Sequence, residues 1–301
     1  TARELITIET DGTGLLVPAG TSANIGNATI TAGSEIGVRS YDKLTTTFTA
    51  GAAAAGVAGV GAGIVVQSVD KTNTAQLSGA ATISSAALAV NAHAIHSLTA
   101  DTVVGAAGGF GLAAAVTYIE DNSDTYAYVN GATISVSGGV AVNAISARTI
   151  DADATGVVLG LAGAAGVSYA ETSIGGETKA ALGSDASGAT SSQGVNIGTS
   201  VNRTGSVTLG ATSTDSVLAE TIAAGGGIGF AIQGAVADGS VVTTVATEMN
   251  NADIYTTNAI NSMASSNGAA TTDSTGVSIS GGLAAGVSLA ESKLDVTVSN
   301  D

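Results

Sequence analysis

Two kinds of alternating stretch recur along the chain. Short segments such as Leu88-Ala89-Val90-Asn91-Ala92 and Val140-Ala141-Val142-Asn143-Ala144 put an apolar side chain at every second position. Longer Gly/Ala-rich runs alternate by size, with Leu112, Ala114, Val116 and Tyr118 interleaved with Gly111, Ala113, Ala115 and Thr117. The runs beginning at Gly163 and Leu283 follow the same rule. A period of two belongs to a β-strand and not to an α-helix. One face carries medium to large side chains and the other only Gly, Ala, Ser and Thr. This predicts strands covered on both faces, with the tiny face letting another backbone layer approach closely. Turn signals separate the strands at Ser78-Gly79, Asn130-Gly131, Ser137-Gly138-Gly139 and Ser280-Gly281-Gly282.

The alternating stretches repeat. An Ala-Thr-Ile element occurs at Ala28, Ala81 and Ala132, with looser versions ending at Ile197 and Ile254. A second landmark is the apolar strand with equivalent positions at Val38, Val90, Val142, Leu209 and Ile260. The third is a Gly/Ala-rich run ending in Val with an acid four residues later: Val66 with Asp70, Val116 with Glu120, Val167 with Glu171 and Val287 with Glu291, with Val236 and Ser240 as a degenerate copy. Successive spacings of the third landmark are 50, 51, 69 and 51 residues. The expected fold is therefore all-β, a repetitive β-solenoid resembling a parallel β-helix, built from about five units of roughly 51 residues. The units run 24–80, 81–132, 133–194, 195–250 and 251–301, after a partial leading turn or strand at 1–23. The anomalous spacing is assigned to a polar loop insertion at 175–194, the first place to look for a partner contact. Two coils of about 25 residues per unit are the expected subdivision.

Composition fits a thin core. The 301 residues include 42 Gly, one Pro and no Trp, and aromatics are only 3%, so the 45% hydrophobic content contains few large side chains. The net charge of −16 comes from 24 acids against 8 bases, with no cluster of Lys and Arg. That excludes nucleic acid and a polybasic membrane anchor as partners. The absence of Cys rules out disulfides and thiol chemistry. The chain opens at Thr1 without a start methionine and is read as a piece of a longer parent. Charge-free stretches at 44–69, 102–119 and 154–170 are long enough to span a bilayer. Their glycines cost about 1 kcal/mol each against Ala in a helix interior, so they are not read as membrane-spanning.

The Ala-Thr-Ile element, the Val-x-Val-x-Ala strand, the Gly/Ala-rich run and endings such as Val167-Ser168-Tyr169-Ala170-Glu171 together resemble the β-strand repeats of very large bacterial surface adhesins. These are the leukotoxin-type filamentous adhesins and, more distantly, the filamentous haemagglutinins exported by two-partner secretion. The resemblance covers residues 24–301. It implies export in an unfolded state, folding outside the cell into long β-helical fibres, and no catalytic residues to carry over. The expected role is a non-enzymatic shaft segment of a secreted or cell-surface adhesin or filament protein. Its partners would be neighbouring repeats, identical chains, or host-cell or matrix receptors. A self-assembling fibre or surface-layer subunit is the second reading, and a carbohydrate-active β-helix enzyme a remote third.

Candidate chemistry is sparse. His93 and His96 have a spacing seen in metal sites, but on a strand they point to opposite faces, and their equivalents one unit on are Ile145 and Arg148. They are read as surface or rim histidines. Glycine runs such as the one at Gly105 lack the following helix and acidic partner of a dinucleotide loop. The repeated acids Asp70, Glu120, Glu171 and Glu291 are expected at a structural corner, where they would form a sparse ladder. Such a ladder could hold Ca²⁺ through several oxygens. The competing and favoured reading is solvated acids that keep a fibre soluble and its strand edges from aggregating. No other cofactor is expected.

Overall fold

The computed structural model describes residues 20–185 and 194–301. They are strand and turn without helix. In chain order the strands are β1 (Ser22–Ile25), β2 (Thr29–Thr31), β3 (Glu35–Val69), β4 (Thr72–Ser78), β5 (Thr82–Ser85), β6 (Ala87–Asp121), β7 (Asp124–Asn130) and β8 (Thr133–Val136). These are followed by β9 (Gly139–Ile174), β10 (Glu177–Leu182), β11 (Val195–Ile197), β12 (Ser206–Gly227), β13 (Phe230–Met249), β14 (Ala252–Ile254), β15 (Ile260–Ser280) and β16 (Leu283–Asn300). Every pairing between these strands is parallel. The architecture is that of a β-solenoid.

One turn of the solenoid takes a whole unit. Glu35 pairs with Ala87, 52 residues on, and Leu88 pairs with Val140, again 52 residues on. Two coils of about 25 residues would have paired residues half as far apart, so the expected subdivision is corrected to a single long coil. β3, β6 and β9 each double back within themselves, and in the last two coils the reversal separates β12 from β13 and β15 from β16. Thr102 and Thr117 both lie on β6, yet Thr117 donates to the Thr102 hydroxyl at 2.8 Å. A straight strand would hold them about 50 Å apart at ~3.3 Å per residue. The reversal falls at Gly108 and Gly109, where the ladder to β9 also slips by one residue. A coil thus has an ascending layer, a tip and a descending layer, which together make a flat two-layered blade.

The base of each coil is closed differently. β2, β5, β8, β11 and β14 form a five-stranded sheet in which Ile30, Ile83, Ile134, Ile197 and Ile254 are stacked partners. Their side chains pack with Val38, Val90, Val142 and Leu209 from the start of the long strands, and with Leu77, Val129 and Leu182 from the strands that end each descent. Three walls therefore surround the base core. The blade has its own core of Leu98, Ala100, Val104, Ala113, Ala115 and Ile119 and their counterparts.

Small residues set the thickness of the blade. Gly61 and Gly63 on the descending layer face inward, and a Cβ on either would lie 2.9 Å from a methyl of Val104 on the facing layer. Where the interior must take something larger, glycines clear the space. Gln233 is buried between its ladder partners Gly166 and Gly286, and the Cβ missing from Gly225 would collide with its amide. The tiny face is thus inside one chain, between the two layers of each coil. The larger face is not covered, contrary to expectation: Val60, Leu112, Val167 and Leu289 are half or more exposed.

Other boundaries shift as well. Within the predicted loop at 175–194, Glu177–Leu182 is β10, paired with β7 and β13. The extra residues enter on either side of β11. The offset is 53 at Leu182 and Val129, 63 at Ile197 and Ile134, and 67 at Val207 and Val140. Residues 186–193 and 1–19 lie outside the described residues. Ser22–Ile25 of the predicted leading segment pairs with β4 and so completes a descent like the later ones. The charge-free stretches are blade strands, and among the described residues no helix is long and apolar enough to cross a membrane.

Candidate functional site: a charged waist and two acidic columns

Between the base core and the blade core the interior turns polar. Inward positions of the ascending layer stack as Leu44, His96, Arg148, Asp215 and Gly268, one per coil. His96 and Arg148 are partners, as their sequence spacing implies, and so are His93 and Ile145. The rim assignment holds for neither solvent access nor role at His96, whose side chain is 1% exposed. His93 points outward and meets Tyr41 edge to face, with ring centroids 5.4 Å apart.

The waist is a continuous relay of charge. Lys71 Nζ lies 3.0 Å from Asp42 Oδ1. The other Asp42 oxygen is 3.4 Å from His96 Nε2, and His96 Nδ1 is 2.7 Å from Asp121 Oδ2. Asp121 also accepts from the Ser123 amide at 3.1 Å. The Ser123 carbonyl accepts from Arg148 Nη1 at 3.1 Å, and the Gly175 carbonyl accepts from the same nitrogen. Arg148 then meets Asp215 through Nε to Oδ1 at 2.8 Å and Nη2 to Oδ2 at 3.2 Å. Ser213 closes the row by donating to Asp215 at 2.5 Å. Three acids balance Lys71, Arg148 and a protonated His96, so the buried row is neutral, as a dry interior requires.

Burial disfavours the imidazolium of His96, but hydrogen bonds to Asp121 and Asp42 outweigh it and raise its pKa. Burial likewise pushes Asp42 and Asp121 up, and their bonds to His96, aided by Lys71 and Arg148 respectively, bring both below the usual carboxylate range. A His–Asp pair of this kind can orient a general base, yet here the second ring nitrogen faces Asp42 instead of a nucleophile, and both groups are sealed from solvent. Its chemistry is structural.

The four predicted acids do not share one ladder. Glu171 stacks with Asp238 and Glu291 on an outward column of the descending layer. Glu120 lies two positions away, between Ser68 and Ser173, and Asp70 follows the end of β3. A denser column lies outside the repeat landmarks: Asp101, Asp153, Glu220 and Asp273 are successive partners on the outside of the ascending layer. Its signal was present in the sequence as acids spaced 52, 67 and 53 residues apart, the offsets of the fold itself. Partial burial first, and then Asp151, Glu220 and Asp101, push Asp153 up to about 6. Among the described residues no group of three His, Cys, Asp or Glu side chains is placed to hold a metal ion.

No family model matches the chain, and neither a curated protein nor a solved structure does.

Proposed function

We propose that the chain is a non-enzymatic structural shaft segment of a secreted or cell-surface bacterial adhesin or filament protein, acting in adhesion or in an extracellular matrix. The observation that supports this is the in-register parallel stacking of β3, β6, β9, β12 with β13, and β15 with β16. These make five coils, each of which templates the backbone of the next. Repetition of one coil consolidates a long stiff object without demanding a specific site. Each coil rises only ~4.8 Å while its long strand reaches about 70 Å from base to tip, so the shaft is a broad ribbon. The acidic columns keep such a ribbon soluble, and Ca²⁺ at Asp70, Glu120, Glu171 or Glu291 is not needed for that role.

The outermost strands among the described residues bear on a second reading. Among the described residues β3 pairs only with β6 and β15 only with β12, and an unpaired strand edge is a template for pairing with another chain. A self-assembling fibre or surface-layer subunit would use those edges to add the next chain. Negative-stain imaging and small-angle scattering of the purified chain separate the readings. Discrete plates about 70 Å by ~24 Å support a shaft segment, the shorter edge being five rungs at ~4.8 Å. Filaments growing along the stacking direction support polymerisation, and a flexible string of beads would overturn both.

A further inference from the structure

The outer surface of the blade beyond its acidic columns is uncharged on both layers, and on the descending layer it is apolar. On the descending layer four adjacent outward columns run through all five coils. They begin with Ala58, Val60, Ala62 and Ile64 and end with Leu283, Ala285, Val287 and Leu289. Phe110, Leu112, Val167 and Ile232 within them are about half exposed. Tyr169 is the only polar side chain in the field, and it turns its hydroxyl to Glu171 at the border. Isolated apolar residues on a surface need no explanation, but a continuous field does.

We propose that this descending face docks against the same face of a second copy of the chain, blade on blade and pointing in opposite directions. Four columns at ~6.6 Å and five rungs at ~4.8 Å cover roughly 600 Å² per copy, or about 1,200 Å² in the pair, the lower end of the standard range for specific interfaces. The acids choose the orientation. Glu171, Asp238 and Glu291 border the field on its base side. Two blades pointing the same way would bring these columns opposite each other across a sheet spacing of ~10 Å. Opposed blades separate them by about 33 Å, well beyond the ~8 Å screening length at physiological salt. A bilayer fits less well, because the bordering acids repel anionic headgroups. The surface is independent of the strand edges at the coil ends, so it adds lateral pairing to either reading of function.

Sedimentation equilibrium over a concentration series tests the proposal. The wild-type chain is expected to dimerise, and the outward substitutions Leu112→Lys and Ile232→Lys together to leave it monomeric with an unchanged circular dichroism spectrum. Thr149→Lys, exposed on the ascending layer, should dimerise normally. The chain has no Cys, so single cysteines report the orientation without background. Leu161→Cys at the tip should form a mixed disulfide with Glu171→Cys at the border more readily than either forms with itself. A wild-type chain that stays monomeric throughout overturns the proposal, as does a dimer indifferent to the lysines. A monomer that floats with phosphatidylcholine vesicles would assign the surface to lipid instead. Leu161→Cys pairing chiefly with itself would overturn the opposed orientation.

Discussion

Arg148 and Asp215 are ladder partners on adjacent coils, and their side chains are joined in the interior by two hydrogen bonds, with 1% and 0% of each side chain exposed. The pair is fixed by the same register that stacks the backbones, so slipping one coil would separate both charges. Asp215→Asn strands the guanidinium and should cost about 3–5 kcal/mol, the usual range for breaking a buried pair. Replacing both, Arg148→Met with Asp215→Leu, should cost less than the single change. It should not reach wild-type stability, because the Ser123 and Gly175 carbonyls lose their donor. Guanidinium unfolding midpoints of the three chains check the order.

His96 has a carboxylate at each ring nitrogen, an arrangement in which both nitrogens donate only as imidazolium. Its raised folded pKa gives stability that is fully present below the unfolded value of about 6.5 and is lost as pH rises through the folded value. Asp42 and Asp121, lowered in the fold, contribute above about 3.9 and lose that contribution as pH falls through their folded values. The waist should therefore stabilise the chain most between about pH 4 and 6.5. Thermal midpoints measured from pH 3 to 9 should decline on both sides for the wild type, and His96→Gln should lack the alkaline decline.

Much of this architecture is legible in the residues, and what is not has a definite physical cause. The Ile30, Ile83, Ile134, Ile197 and Ile254 stack was readable because a β-branched residue recurs between turns of nearly constant length. The Gly/Ala-rich landmark was misregistered by two positions, since Val66 pairs with Tyr118 and Val116 with Tyr169. Ile260 likewise pairs with Val207 and not Leu209. A slip of two preserves which side chains face inward, so alternation alone cannot detect it. Alternation also says nothing of which face is inside. The two-layered blade decides that, by leaving no space beside Val104 for a Cβ at Gly61. The buried role of His96 is not legible in the sequence because its partners Asp121 and Asp42 lie 25 and 54 residues away.

Asp153 sits between Asp101 and Glu220 on the ascending layer, with Asp151 two residues off. Its pKa, raised to about 6, means the folded chain holds a proton that the unfolded chain has already released. Stability should fall as pH rises from about 3.9 toward 6, the reverse of the contribution from Asp42. Asp153→Asn should raise the thermal midpoint at pH 8 and leave it unchanged at pH 3. Added sodium chloride should narrow the difference at pH 8 through screening. An equal gain at both pH values would assign the effect to packing instead of charge.

Ala114 and Ala115 are neighbours on the descending layer of β6 and face opposite ways. Ala115 is fully buried opposite the ascending layer, and Ala114 lies on the outer field. If small residues are required because the two layers close on each other, enlarging the inner one must force them apart. Ala115→Leu should then cost at least the ~1–3 kcal/mol typical of overpacking, since an extended ladder spreads the strain to the coils above and below. Ala114→Leu should change stability by no more than about 0.5 kcal/mol. It should also tighten self-association by enlarging the apolar face. Unfolding midpoints and sedimentation of the two variants distinguish inner from outer face at adjacent positions. Equal destabilisation by both leucines would contradict the assignment of the tiny face to the interior.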